Sequence, residues 1–220
     1  YMTWRSSPGT LTPQSKLLPP VLDAIEAAGK PAVVVCANGE VFPMSDSDID
    51  QKIGKDNLAR MERLGIEFHQ NDPRHTDNYE YVGVSSRGTP VWLHREVAAC
   101  DVKVTIGQAQ SNHWGAGGGG KLILPGVVSD ETIESNHCAF VPSPQTHYGA
   151  YAGPMRSDID EVATMCGLSG TMNVVLDPHG GTFGTTRWCS IRHHIDPLRS
   201  ARAAPRSTPR QGSASSPATI

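Results

Sequence analysis

No long apolar run is present: the 220 residues nowhere reach the roughly 18–20 consecutive apolar positions that a membrane span needs. The opening residues, 1–9, lack a basic-then-apolar leader pattern, so nothing here indicates export. Cysteine is scarce and unpatterned. The five residues (36, 100, 138, 166 and 189) are odd in number and form no C-x-x-C, which disfavours a disulfide framework and suits reduced thiols in a cytoplasm. A basic excess is also missing from the body of the chain. Residues 187–220 carry six Arg against one Asp, a net +5, and since the whole chain is −3, residues 1–186 carry −8. No basic face for nucleic acid follows from that balance.

What is there is glycine and proline, 22 and 17 residues respectively, in a chain whose hydrophobic fraction is 38%. The length accommodates one large or two small domains with a real core, rich in turns. The informative stretch is 101–140. Val102 to Ile106 reads as a buried strand; His113 and Trp114 follow, then Gly117 to Gly120, then Lys121. Leu124-Pro125-Gly126 ends an apolar run, and Ser129 or Asp130 caps a helix that runs to Asn136-His137. Glycines without a Cβ let backbone N–H groups approach a ligand, so Gly118, Gly119 and Gly120 form a candidate cradle with the Lys121 amine beside it. His113 before the run and His137 after it suit a base and a metal ligand. A flexible glycine turn with a solvated lysine is the plain alternative. Gly115 to Lys121 also fits G-x-x-x-x-G-K, but Leu122 stands where a phosphate-binding loop needs Ser or Thr for magnesium.

Several unrelated residue types at fixed offsets point elsewhere. His113, Gly117–Gly120, Lys121, Leu124-Pro125-Gly126, Thr132-Ile133 and Asn136-His137 together resemble the N-terminal domain of the nickel-dependent lactate racemase family. The resemblance extends over about residues 1–184. Ser86-Arg87-Gly88-Thr89-Pro90 matches a turn of that family, and Met2-Thr3-Trp4-Arg5 resembles its D-x-T-R motif, with Tyr1 in place of the Asp. At Ala37-Asn38-Gly39-Glu40-Val41-Phe42-Pro43-Met44 the chain departs from it. Val41 occupies the position of one of the family's two acid/base histidines, and valine cannot move a proton.

The rest of the chain reads as an α/β domain, with a mostly parallel sheet and helices on both faces, over residues 1–184. Pro19-Pro20 introduce a short helix ending at Gly29, and Ala32 to Cys36 reads as a buried parallel strand. Ser45 to Leu64 reads as one capped helix, and Ser157 to Gly167 as another capped by its own first residues. The site is expected where loops 37–44 and 107–121 meet the helix over 130–137, at the carboxyl ends of strands. His69, His75 and His94 lack partners at ligand spacing and read as surface or structural. Residues 185–220, rich in Arg, Ser and Pro, read as a disordered or non-native tail, as though the family's second domain were lost after about Gly184.

The resemblance implies a racemase or epimerase of a 2-hydroxy acid that uses a nickel pincer nucleotide, taking hydride from Cα and returning it. It implies Lys121 as the point of thioamide attachment, His137 as the nickel ligand, His113 as the base for the hydroxyl proton and Arg5 as a clamp on the substrate carboxylate. Cofactor maturation enzymes are implied as partners. Val41 favours epimerisation of another hydroxy acid over racemisation of lactate. Two further readings stay open: an inactive isolated cofactor-binding lobe, and a phosphate- or nucleotide-binding module.

Overall fold

The computed structural model describes residues 12–150, 152–176 and 182–186; Arg5, the Asp177-Pro178-His179-Gly180 segment and the expected tail from 187 onward lie outside the described residues. Helix α1, Pro13–Ala28, is capped by Thr12, whose hydroxyl accepts from the Ser15 amide, and it closes on Gly29 in the left-handed region (φ 59°). It begins earlier than its prolines predict. Pro19 and Pro20 lie inside it. Proline 19 has no N–H to offer the Ser15 carbonyl one turn back, and that carbonyl instead accepts from Asn57 Nδ2 at 2.9 Å. A tertiary hydrogen bond thus replaces the helical one, and the helix continues through the pair.

Strand β1 (Val33–Cys36) leads to helices α2 (Asp46–Ile53) and α3 (Lys55–Arg63), then strand β2 (Glu67–Gln70). The 45–64 segment is therefore two helices, separated at Gly54, whose φ of 90° no helix tolerates. Ser45 caps α2 in a reciprocal capping box with Asp48. Strands β3 (Tyr79–Val84) and β4 (Pro90–His94) form a hairpin, followed by the short helix α4 (Arg95–Ala98). Next come β5 (Lys103–Gln108), the two-residue strands β6 (Ser111–Asn112) and β7 (Gly115–Ala116), and a single 3₁₀ turn over Gly119–Leu122. Helices α5 (Asp130–Phe140) and α6 (Pro154–Met165) precede β8 (Leu168–Leu176) and β9 (Thr182–Thr186).

The α/β class is as expected, with parallel pairing of β1 with β2 and of β5 with β8. Antiparallel pairs are added by β3–β4, β6–β7 and β8–β9. Two cores hold the layers apart. Leu18, Leu22, Ile53, Met61 and Ile66 pack with Val34 and Ile106, beneath α1 and α3. Val91, Leu93, Leu124, Ile133, Ile159, Val162 and Leu168 pack with Val35, beneath α5 and α6. Consecutive residues Val34 and Val35 thus serve opposite cores, as the two-residue period of a strand requires. Each fully buried side chain such as Leu22 or Leu124 contributes about 1.5–3 kcal/mol.

Candidate active site

The loop after β5 builds the site. Ser111 pairs with Ala116 and Asn112 with Gly115, which leaves His113 and Trp114 at the tip of a tight hairpin. No Asn-Gly marks that tip. The turn is instead held by Asn112, whose Oδ1 accepts from the Trp114 amide at 3.0 Å, the short local bond that asparagine makes in turns. Gly115 adopts a φ of 127°, and a Cβ there would fall 2.4 Å from the Ala150 carbonyl oxygen.

The glycine run is buried from Gly117 through Gly120, and Lys121 is buried with it, at 4% exposure. Its glycines serve close packing. A Cβ on Gly118 (φ 81°) would stand 2.7 Å from Asn173 Oδ1 and 2.9 Å from the Gln108 carbonyl oxygen. The Gly119 amide donates to Asn173 Oδ1 at 3.4 Å, and Gly120 lies against Ile159, Asp160 and Ala163 of α6. The turn sits wedged between β8 and α6, which brings Lys121 inward. Past Lys121 the chain continues as 3₁₀ turn and loop up to α5, so the helix that a phosphate-binding loop needs directly after its lysine is missing.

Lys121 Nζ donates to the same Asn112 Oδ1 at 3.2 Å. Burial pushes the amine down to about 8, and the nearby Arg156 guanidinium adds to the effect. Arg156 carries no distinguishing signal in the sequence, where it is one arginine in a helix. In the fold it is 7% exposed, donates from Nη1 to the Ala116 carbonyl at 3.2 Å, and grips Asp160 through Nε (3.0 Å) and Nη2 (2.9 Å).

Ser129 caps α5 as expected, and α5 presents His137 to this group. Burial lowers the His137 imidazole to about 4; the bond to the Ile133 carbonyl opposes that shift, and the positive Lys121 reinforces it. Since a carbonyl can only accept, the 3.0 Å contact with Ile133 places the ring proton on Nδ1 and leaves the Nε2 lone pair for another partner. The Trp114 ring stands edge-on to His137, with centroids 5.1 Å apart at 85°, and 6.0 Å from His113. Lys121, His137 and Trp114 are therefore brought together, and exposed His113 joins them through Trp114.

Loop 37–44 closes on the same end of the fold. The Gly39 amide donates to the Gly126 carbonyl at 3.1 Å. Gln70 holds Met44 at both its amide and its carbonyl, and Asn38 donates to Gln70. Glu40 in this loop is raised by burial and then by the carboxylates Asp130 and Glu134 of α5. His94 is elsewhere: buried against Tyr79 and His69, it lines a separate polar cavity of about 220 Å³ with His69, Arg95 and Glu96. His75 is exposed beside Asp72.

The donor set can be tested against the implied cofactor. Among the described residues no group of three or more His, Cys, Asp and Glu side chains is placed to hold a metal. One imidazole with a free Nε2, next to a buried amine of low pKa, suits a metal that arrives on its own organic ligand. The residues present fit the group.

An α/β domain whose strand-end loops set a buried lysine against a half-buried histidine is the class that fold and site define. The chain belongs to the lactate racemase N-terminal domain family, which matches residues 8–149. It is 29% identical over 170 residues to a lactate racemase of Thermoanaerobacterium thermosaccharolyticum, covering 75% of this chain and 39% of that protein. With a lactate racemase of Lactiplantibacillus plantarum it shares 26% over 147 residues, covering 66% of this chain and 34% of the other. The chain thus spans well under half the length of these curated relatives. In structure it resembles the lactate racemase apoprotein of T. thermosaccharolyticum, with a TM-score of 0.72 at 25% identity over 79% of this chain and 42% of that one. A Thermotoga maritima protein shares the fold, with a TM-score of 0.68 at 18% identity over 89% of this chain and 50% of that one. Among the described residues no helix is long and apolar enough to cross a membrane.

Proposed function

We propose that this chain is the cofactor-bearing part of a racemase or epimerase acting on a 2-hydroxy acid, with a nickel pincer nucleotide attached at Lys121 and ligated through His137 Nε2. The observation that carries this reading is the buried Lys121 amine beside the half-buried His137 ring, whose Nδ1 is already engaged. An amine at about 8 is neutral in roughly one molecule in ten at pH 7, far more than an ordinary lysine, and only the neutral amine has the lone pair that a thioamide bond would need. Thioamide formation, which would release water from the amine and a thiocarboxylic acid of the cofactor, would remove the charge that burial penalises and leave one N–H for Asn112 Oδ1. The bound group supplies the acceptor and donor of hydride at the substrate Cα.

The chain's own side chains do the rest. His137, neutral because its basicity is depressed by burial, keeps its Nε2 lone pair available across the physiological range. Its Nδ1–H bond to Ile133 fixes the tautomer. His113, exposed at the hairpin tip, takes the substrate hydroxyl proton on a ring nitrogen and returns it, a contribution of roughly 10²–10⁴-fold in rate. Arg5, outside the described residues, would pair with the carboxylate through its planar fork. Cofactor maturation enzymes are the partners this reading requires, in a cytoplasmic setting. With Val41 unable to act on protons, epimerisation of another hydroxy acid is favoured over racemisation of lactate.

Native mass spectrometry of the protein co-produced with pincer-cofactor maturation enzymes, with peptide mapping at Lys121, tests the reading. A nickel-containing nucleotide mass on the Lys121 peptide is the expected result. A bare Lys121 peptide with no bound nickel would sink it.

A further inference from the structure

The hairpin carrying His113 and Trp114 does more than place a base. One oxygen, Asn112 Oδ1, accepts from both the Lys121 amine (3.2 Å) and the Trp114 amide (3.0 Å). The indole that this second bond positions lies edge-on to the His137 ring, at 5.1 Å and 85°. Trp114 remains 38% exposed, so hydrophobic burial alone does not explain why a large aromatic stands at the tip of a tight turn. Among the described residues its aromatic partners are the two histidines, His113 and His137.

A metal-ligating imidazole needs its ring plane set as well as its tautomer. The Nδ1 bond to Ile133 holds one atom of the His137 ring, and rotation about that contact remains open. A perpendicular aromatic ring packed at 5.1 Å restricts that freedom. We propose that Trp114 is a positioning residue for His137, and that Asn112 ties it to Lys121, so that one hairpin sets the attachment point and the metal ligand in register. This rests on the reading of His137 as a nickel ligand. Partners of metal-bound histidines commonly change metal affinity by roughly tenfold or more when removed, and an edge-to-face aromatic pair is worth about two- to tenfold in an equilibrium.

The test uses Trp114→Ala and Trp114→Phe, with two readouts. In protein co-produced with the maturation enzymes, nickel content and the Lys121 peptide mass are measured separately. Trp114→Ala should keep the Lys121-linked mass but lose nickel about tenfold faster than wild type, and Trp114→Phe, which retains an aromatic edge, should return to within about twofold. Wild-type nickel retention in Trp114→Ala, or no rescue by Phe, would overturn the proposal. The second readout is diethyl pyrocarbonate modification of His137 in protein produced alone, followed by peptide mapping. It decides the matter even if wild type carries no cofactor, the outcome that would defeat the functional reading itself. A several-fold faster reaction in Trp114→Ala, reversed in Trp114→Phe, supports the positioning role; equal rates in all three proteins reject it.

Discussion

Asn136 Nδ2 donates to Asp158 Oδ2 at 2.7 Å, joining the helix that carries His137 to α6 across a fully buried contact. The same carboxylate accepts from Ser85 Oγ at 2.5 Å and Thr89 Oγ1 at 2.7 Å, the residues that bracket the Ser86-Arg87-Gly88 turn. Asp158, which reads in the sequence as a helix cap, is instead the hub of a polar core. The cap position of α6 belongs to Gly153.

Replacing Asp158 by Ala leaves three buried donors without an acceptor. The expected loss is about 2–4 kcal/mol, since each unsatisfied buried group costs on the order of 1–3 kcal/mol and some recover partners. Ser85→Ala removes one of those donors and also the oxygen that accepts from the Thr89 and Arg87 amides, so it should cost about 1–2 kcal/mol. Urea unfolding of the three proteins checks the ranking; equal midpoints would contradict the hub assignment.

Lys121 is held charged at neutral pH at some expense to the fold. Its folded value of about 8 lies below the ordinary 10.5, so between those limits the unfolded chain binds more protons than the folded one. The stability contribution therefore rises with pH across that window, and the penalty is complete below it. Lys121→Met should raise stability at pH 7 by on the order of 1–3 kcal/mol, a gain that shrinks as pH climbs from 8 toward 10. Thermal unfolding at pH 7, 8.5 and 10 reads the trend, and a gain independent of pH would refute it.

Gly118 tolerates no side chain. Its Cβ would press on Asn173 Oδ1 and the Gln108 carbonyl oxygen at a φ of 81°, so Gly118→Ala should destabilise the protein by about 1–3 kcal/mol. Lys121, three residues on, should become easier to label with an amine reagent as the turn lifts from β8. Unchanged stability and labelling would mean that the turn is not wedged there.

His137→Ala should abolish nickel retention in the cofactor-loaded protein, whereas His94→Ala, which alters a separate cavity, should leave it intact. Equal nickel content in the two variants would reject the ligand assignment. Because burial lowers His137 to about 4, protons should not displace nickel until well below the ordinary histidine range near 6.5. In the unloaded protein the unfolded chain binds the proton between those values, so stability should fall as pH drops across that window. A pH titration of bound nickel and of unfolding midpoints checks both signs.

Much of this was legible in residue order. The α5 cap, read at Ser129 or Asp130 and found at Ser129, the cap at Ser45 and the parallel strand ending at Cys36 follow from local chemistry, because caps and β-branched runs act within a few residues. That Lys121 and His137 belong to one site was implied by the family resemblance of residues 113–137, not by residue order alone. Other features were not. Pro19 and Pro20 read as a helix boundary until Asn57, far along the chain, takes the Ser15 carbonyl. Asp158 read as a cap, and its three partners come from segments tens of residues away.

The sequence alone determined which groups the protein has to work with: an acidic body, a glycine run closed by a lysine, histidines on either side, and no histidine at position 41. Tertiary structure decided what state those groups are in. Burial lowers Lys121 and His137, and Arg156, from a distant helix, adds its charge to Lys121. Asn112 binds Lys121 and Trp114 through one oxygen. Proton affinity and ring orientation depend on desolvation and on neighbours in space, and neither is encoded in the order of residues along the chain.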